Sequence, residues 1–224
     1  MARFASSKCS NFRSSIGRLR GYEMTVQRLS QRSRIHLLQA ASIPLAAAIL
    51  LTQPVLVGRT HEFLEMTGMG LIILCVAGRL WSSLYIGSKK NRELVTTGPY
   101  SITRNPLYLF STIGAIGIGL VVGSIAAALI LGLLAYGILI ATANKESKHL
   151  QAIFGAEYIA YARRTPLFLP RPLLYQDTAE VAFSPKALKR TFMDGLVFLL
   201  AFPAIEAVEH LQGDGIIPIL MRIL

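Results

Sequence analysis

The sequence predicts an all-α, polytopic membrane protein with about five transmembrane helices, on three observations. Mean hydropathy is +0.50, and 53% of the 224 residues are hydrophobic. Only 16% are charged, where a soluble domain carries roughly 25%. The stretch from Leu107 to Ala143 holds no charged residue in 37 positions. As one helix it would reach about 56 Å, too long for a hydrocarbon core of about 30 Å, so two spans joined near Gly123 and Ser124 are expected.

Residues 1–34 form a basic N-terminal extension with eight Arg or Lys and one Glu. Its first 24 residues are Arg- and Ser-rich and nearly free of acids, which fits a transit peptide, a disordered basic tail, or an upstream extension ahead of a start at Met24. No short apolar core precedes a small-residue cleavage site, so a secretory signal is not expected. Residues 35–224 form the membrane domain. His36 to Val57, Met66 to Ile86 and Phe192 to Leu211 each meet the length of a span. Pro44 and Pro54 interrupt the first of these, Arg79 the second, and Asp194, Pro203, Glu206 and Glu209 the last. Prolines are tolerated in membrane helices where neighbouring groups satisfy the freed carbonyls. The acids leave open an interfacial amphipathic helix for the last stretch.

Lys and Arg accumulate on the cytoplasmic side of membrane proteins. The N-terminal segment, the 87–105 loop (Lys89, Lys90, Arg92 and Arg104 against Glu93) and the 144–190 segment are all basic. Five spans put all three inside. The sequence pI near 10.1 then reflects topology and anionic headgroups; with no groove-reading or base-stacking module in view, nucleic acid is not an expected partner.

Several patterns carry little chemistry. "GAIGIGLVVG" follows no strand and lies in an uncharged span, so it is no nucleotide loop. Gly119 and Gly123 instead make a small-xxx-small pair suited to a close helix contact. His36, His61, His149 and His210 are scattered, and no metal site is expected. Cys9 and Cys75 are too few for a disulfide framework. No nucleophile elbow is visible.

The chemistry-bearing residues concentrate in "NRELVTTGPYSITRNPLY" and "ANKESKHLQAIFGAEYIAYARRTPLFLP". Gly98 and Pro99 make a turn, and Pro106 suits the first turn of the next span, where its missing donor costs nothing. Thr142 and Glu146 lie four apart on one helical face that Leu150, Phe154 and Tyr158 continue; Ser147 is expected to point elsewhere. The hairpin between the two stretches returns Glu146 to the Arg104 side of the membrane.

These segments resemble the signatures of the integral-membrane methyltransferases typified by isoprenylcysteine carboxyl methyltransferase and phospholipid methyltransferase. The family pattern is "ELV-x-x-G-x-Y", then "R-H-P-x-Y", then, after a helical hairpin, "E-E-x-x-L-x-x-x-F-G-x-x-Y-x-x-Y"; the match covers residues 85–170. The resemblance implies S-adenosylmethionine as cofactor, a small hydrophobic or lipid-like methyl acceptor, and a site on the cytoplasmic side. It implies cofactor contacts at Arg92, Glu93, Leu94, Val95, Tyr100, Asn105, Pro106, Leu107, Tyr108 and Glu146, with Tyr85 at a further family contact. Glu146 and Arg104 are the catalytic candidates. Leu94, Val95 and Leu107 could equally be anchoring residues, and Tyr100 and Tyr108 an aromatic belt.

Three positions depart from the pattern. Asn105 replaces a histidine and cannot titrate near neutrality, Ser147 replaces the second acid, and Thr142 replaces an arginine of prenylcysteine-methylating relatives. A nicotinamide-dependent membrane reductase and a non-catalytic membrane scaffold therefore stay open as alternatives.

Overall fold

The structure is a computed structural model and describes residues 52–54, 58–87, 93–215 and 221–223. In chain order the elements are β1 (Thr52–Pro54), α1 (Arg59–Ile86), α2 (Pro99–Ile102), α3 (Pro106–Val121), α4 (Ile125–Phe154), α5 (Ala156–Arg164), a 3-10 turn at Pro172–Leu174, α6 (Pro185–Gly213) and β2 (Met221–Ile223). Among the described residues the protein is all-α apart from β1 and β2, which pair in parallel with Gln53 opposite Arg222.

Helices α1, α4 and α6, at 28, 30 and 29 residues, are long and apolar enough to cross a membrane. The uncharged stretch divides where expected. Gly123 takes φ 73°, which glycine adopts without steric cost, and Ser124 accepts a bond from the Ala127 amide at 3.1 Å to cap α4. Helix α3 has only 16 residues, about 24 Å. The expected span 36–57 lies outside the described residues except at its end, where Thr52–Pro54 is extended rather than helical. Pro54 explains this, because the residue before a proline is pushed out of the helical region. The stretch 192–211 lies within α6, whose Asp194 and Glu206 are exposed. Residues 1–34 and Arg92 lie outside the described residues.

Small residues set the helix spacing. A Cβ on Gly68 would stand 2.7 Å from the Gly117 carbonyl oxygen, so α1 and α3 cross with their backbones nearly touching. Gly119 faces Ala128 of α4 so closely that a Cβ would lie 2.3 Å from backbone atoms. Gly123, its partner in the small-xxx-small pair, serves the turn instead.

Helix α1 runs toward the turn that contains α2, α3 leaves from it, and α4 returns to it. Helix α4 does not stop where its apolar part ends at Ala143; it continues unbroken to Phe154. Glu146, Leu150 and Phe154 thereby stand on a rigid helix opposite the start of α3, not on a loop.

Gly119→Ala is expected to lower stability by about 1–3 kcal/mol, because backbone and not a flexible side chain must yield. Gly137→Ala, on the same helix pair with nothing within 4 Å of its would-be Cβ, should be neutral or stabilising by up to about 1 kcal/mol. Thermal unfolding of both variants in detergent checks the pair, and equal melting would refute the packing argument.

Candidate functional site

The site begins with the turn at residues 98–105. Gly98 takes φ 60°, and a Cβ there would lie 2.3 Å from the Tyr85 ring. Only glycine meets both demands. Pro99 opens α2, and Thr103 leaves it in an extended conformation. The Ser101 and Thr103 amides donate within the turn, to the Gly98 and Pro99 carbonyls, but so short a turn cannot satisfy the rest of its backbone, and the segment after α5 does so.

The Gly98 amide donates to the Gln176 carbonyl at 2.7 Å, the Arg104 amide to the Pro166 carbonyl at 2.9 Å, and the Arg171 amide to the Ile102 carbonyl at 2.9 Å. Side chains complete the clasp. Thr103 Oγ1 donates to the Phe168 carbonyl at 2.9 Å, Asn105 Nδ2 to the Leu167 carbonyl at 3.0 Å, and Tyr161 Oη to the Tyr100 carbonyl at 2.7 Å. Residues 165–177 thus form a strap over the turn. Its Phe168 ring meets Tyr136 of α4 edge-on at 4.9 Å. Near its far end the Asp177 carboxylate accepts from Tyr85 Oη at 2.6 Å and from Tyr175 Oη at 2.7 Å. Those bonds, with one from the Thr178 amide, hold the Asp177 carboxyl below its ordinary range.

Between the turn and α4 lies a cavity of about 130 Å³. From the first motif Glu93, Leu94, Val95, Tyr100, Arg104, Asn105, Pro106, Leu107 and Tyr108 line it. From the second come Glu146, Ser147, Leu150, Phe154, Tyr158 and Tyr161. The hairpin of α3 and α4 brings the two motifs, some forty residues apart in the chain, to one wall-to-wall enclosure.

Its polar groups form two sets. Tyr108 Oη donates to Glu146 Oε2 at 2.9 Å. Arg104 Nη1 donates to Ser147 Oγ and to Tyr158 Oη, both at 3.3 Å, and Tyr158 Oη donates to Ser147 Oγ at 2.8 Å. Two of its buried polar atoms have no partner among the described residues: Tyr100 Oη and Arg104 Nε. Burial, with Tyr161, Glu146 and Tyr108 nearby, pushes the Tyr100 phenol well above its ordinary range; it stays a neutral donor. The cavity therefore offers two carboxylates, Glu93 and Glu146, a guanidinium, an unused phenol and an apolar lining from Leu94, Val95, Leu150 and Phe154. Such a set suits a molecule carrying both charges and an aromatic part.

Of the residues expected at the site, Tyr85 stands apart. It faces a second cavity of about 230 Å³, across the Leu94–Val95 segment, and is bound to Asp177. Thr142, though on the Glu146 face by spacing, bonds its own helix at the Ile138 carbonyl. Ser147 does not point away: it lines the cavity and ties Arg104 to Tyr158. The reading missed Tyr161 and the strap. The signals were present, Tyr161 as the last tyrosine of the second motif and Pro166 and Pro170 as residues that push the residue before each out of helix. Among the described residues no group of three or more His, Cys, Asp or Glu is placed to hold a metal ion.

The phospholipid methyltransferase family model matches residues 64–157, which hold most of both motifs and the hairpin between them. The cobalt-zinc-cadmium resistance protein CzcN of Cupriavidus metallidurans is 35% identical over 150 residues, 67% of this chain and 69% of that protein. The nickel-cobalt-cadmium resistance protein NccN of Alcaligenes xylosoxydans xylosoxydans is 37% identical over 142 residues, 63% of this chain and 66% of that protein. The chain thus spans about two thirds of the length of both. The protein-S-isoprenylcysteine O-methyltransferase of Schizosaccharomyces pombe is 29% identical over 96 residues, 42% of this chain and 40% of that enzyme. No solved structure matches. The motifs, the hairpin that joins them and these likenesses agree: the chain belongs to the phospholipid methyltransferase and isoprenylcysteine carboxyl methyltransferase family of integral-membrane methyltransferases.

Proposed function

We propose that this protein transfers a methyl group from S-adenosylmethionine to a small hydrophobic or lipid-like acceptor at the cytoplasmic face of the membrane. The observation that carries this reading is the convergence of both motifs on one cavity, in which Tyr100 Oη and Arg104 Nε are buried without partners among the described residues. Buried polar atoms left unpaired cost stability, and a ligand that supplies acceptors would satisfy both.

When bound, S-adenosylmethionine supplies a methyl group on a sulfonium, open to direct displacement by a nucleophile. Glu146, held by Tyr108, would face the positive end of that molecule. Arg104, oriented by Ser147 and Tyr158, would hold a carboxylate, and Leu94, Val95, Leu150 and Phe154 would cover an aromatic base. A nucleophile that arrives ionised needs alignment more than a base. An amine acceptor must first lose a proton, a role assigned here to Glu146, the carboxylate that Tyr108 orients in the cavity. Asn105, committed through its amide to the Leu167 carbonyl, takes a structural part and cannot move a proton near neutrality.

Calorimetric titration of S-adenosylhomocysteine into the protein in detergent tests these assignments together. Glu146→Gln should weaken binding by about tenfold to a hundredfold, the loss of one charge-assisted contact. Ser147→Ala, which loosens Arg104 without removing it, should cost less, about threefold to tenfold. Tyr100→Phe should melt no lower than wild type, since its hydroxyl has no partner among the described residues, yet bind several-fold more weakly. Equal affinity across all variants would remove these residues from the site. Retention of NADPH with no response to S-adenosylhomocysteine would turn the reading toward a reductase.

The cytoplasmic position rests on the basic 87–105 and 144–190 segments. Cysteines introduced at Lys148 and Glu180 should both be labelled from the cytoplasmic side of inverted vesicles. Labelling from the opposite side would reverse the orientation.

The likeness to NccN and CzcN supports a role in tolerance of transition metals, exerted through the methylated product. A deletion strain complemented with wild type should outgrow one complemented with Glu146→Gln on cobalt. Identical growth would separate the protein from metal tolerance.

A further inference from the structure

The end of α1 meets the start of α6. Ser83 Oγ and Thr191 Oγ1 share a hydrogen bond at 2.9 Å there, and a Cβ on Gly87 would lie 3.1 Å from Ala187 Cβ. Beside that junction lies a groove of about 480 Å³, lined by Leu80 and Leu84 of α1, by Leu188 and Phe192 of α6, and by Phe183 just before α6. Both phenylalanines stay half-exposed. Leu80 stands six residues before the end of α1, so the groove reaches about 9 Å down the apolar part of that helix. Of the residues that line it, only Lys189 is charged.

Lys186 and Arg190, three residues before Lys189 and one after it, share a face of α6 with it. All three are exposed, and among the described residues none is paired with a carboxylate. The acid nearest in sequence, Asp194, is exposed one turn deeper. An apolar slot beneath a cluster of cations fits an amphiphile with an anionic head. The slot gives a hydrocarbon chain contact and a polar chain nothing to bond, while an ammonium on a flexible stem reaches a phosphate at the surface. Basic pockets between membrane helices take anionic headgroups in this way. The occupant is kept apart from the cavity of the two motifs. Leu84 lines the groove and Ile86 lines that cavity, and two residues along a helix project about 200° apart. The groove and the cavity have no lining residue in common.

We infer that this groove binds an anionic phospholipid of the bilayer, which is held there and not methylated. One acyl chain lies among Leu80, Leu84, Leu188 and Phe192, and the phosphate meets Lys189 with Lys186 and Arg190 beside it. The lipid then touches both helices next to the Ser83–Thr191 bond and ties α6 to α1. Its binding does not depend on what the cavity holds.

The test places the full-length protein in phosphatidylcholine nanodiscs that carry a small share of chain-brominated phosphatidylglycerol or chain-brominated phosphatidylcholine. Trp81, the single tryptophan of the chain, follows Leu80 and stands one turn before Leu84, so quenching of its fluorescence reports a brominated chain in the groove. Phosphatidylglycerol should quench at a mole fraction about tenfold or more below that of phosphatidylcholine. Lys189→Gln should cut this preference about fivefold, the worth of one cation at the membrane surface. Lys186→Gln, Lys189→Gln and Arg190→Gln combined should abolish it. Lys145→Gln with Lys148→Gln, exposed on α4 and not lining the groove, should leave it intact. In detergent, added phosphatidylglycerol should raise the melting temperature of wild type and not of the triple variant. Photoreactive benzoylphenylalanine in place of Phe192 should cross-link to phosphatidylglycerol. Equal quenching by the two lipids, a preference that survives the triple variant, or one lost equally with Lys145 and Lys148 would overturn the inference. So would a wild-type melt indifferent to the lipid, or cross-linking only to residues 36–57 or to a second copy of the chain.

Discussion

The site depends on one requirement: an irregular turn at the membrane boundary must have its backbone groups satisfied by protein. Pro99, Tyr100, Ser101 and Thr103 of the turn are buried away from water and headgroups, and each buried group left unpaired costs about 1–3 kcal/mol. The strap from Thr165 to Asp177 meets the demand by lending carbonyls and amides to the turn at Gly98, Ile102 and Arg104. Because Pro166 and Pro170 keep Thr165 and Leu169 out of the helical region and residues 165–171 are non-helical, the carbonyls of that stretch are not consumed by a helix. Arg104, Asn105 and Tyr108 hold their positions because the strap fixes the backbone that carries them.

The same arrangement explains why so small a region can be selective. Most polar groups in the cavity are already committed to one another, Tyr108 to Glu146 and Arg104 to Ser147 and Tyr158. Those commitments fix side-chain directions before any ligand arrives, which lowers the cost of ordering them on binding. The groups left over, Tyr100 Oη and Arg104 Nε, are the ones a ligand would have to match. A molecule without acceptors for them would leave both stranded.

Much of this was legible in the residues. The break at Gly123 and Ser124 followed from length alone, and the meeting of Glu93–Tyr108 with Glu146 followed from the motif order and the hairpin. Two kinds of feature were not. Ser147 was judged by spacing along one helical face, whereas the cavity curves around α4 and receives neighbours 100° apart. Tyr85 was carried over by resemblance, and its hydroxyl is claimed by Asp177, a residue in a connection with no periodicity to mark it. Long-range hydrogen bonds from loops, such as Tyr161 to the Tyr100 carbonyl, leave no local pattern, because they depend on where the chain returns.

Helix α3, with 16 residues, is about 6 Å short of the hydrocarbon thickness, while α1, α4 and α6 exceed it. A short helix beside long ones is accommodated by thinning the bilayer where it stands. The dimple would lie along α3, whose first turn carries Leu107 and Tyr108. Headgroups elsewhere held above the boundary would sink there toward the level of the cavity. A lipid approaching along α3 would then need less lifting out of its leaflet to bring its polar end within reach, so the membrane itself would share in presenting the acceptor.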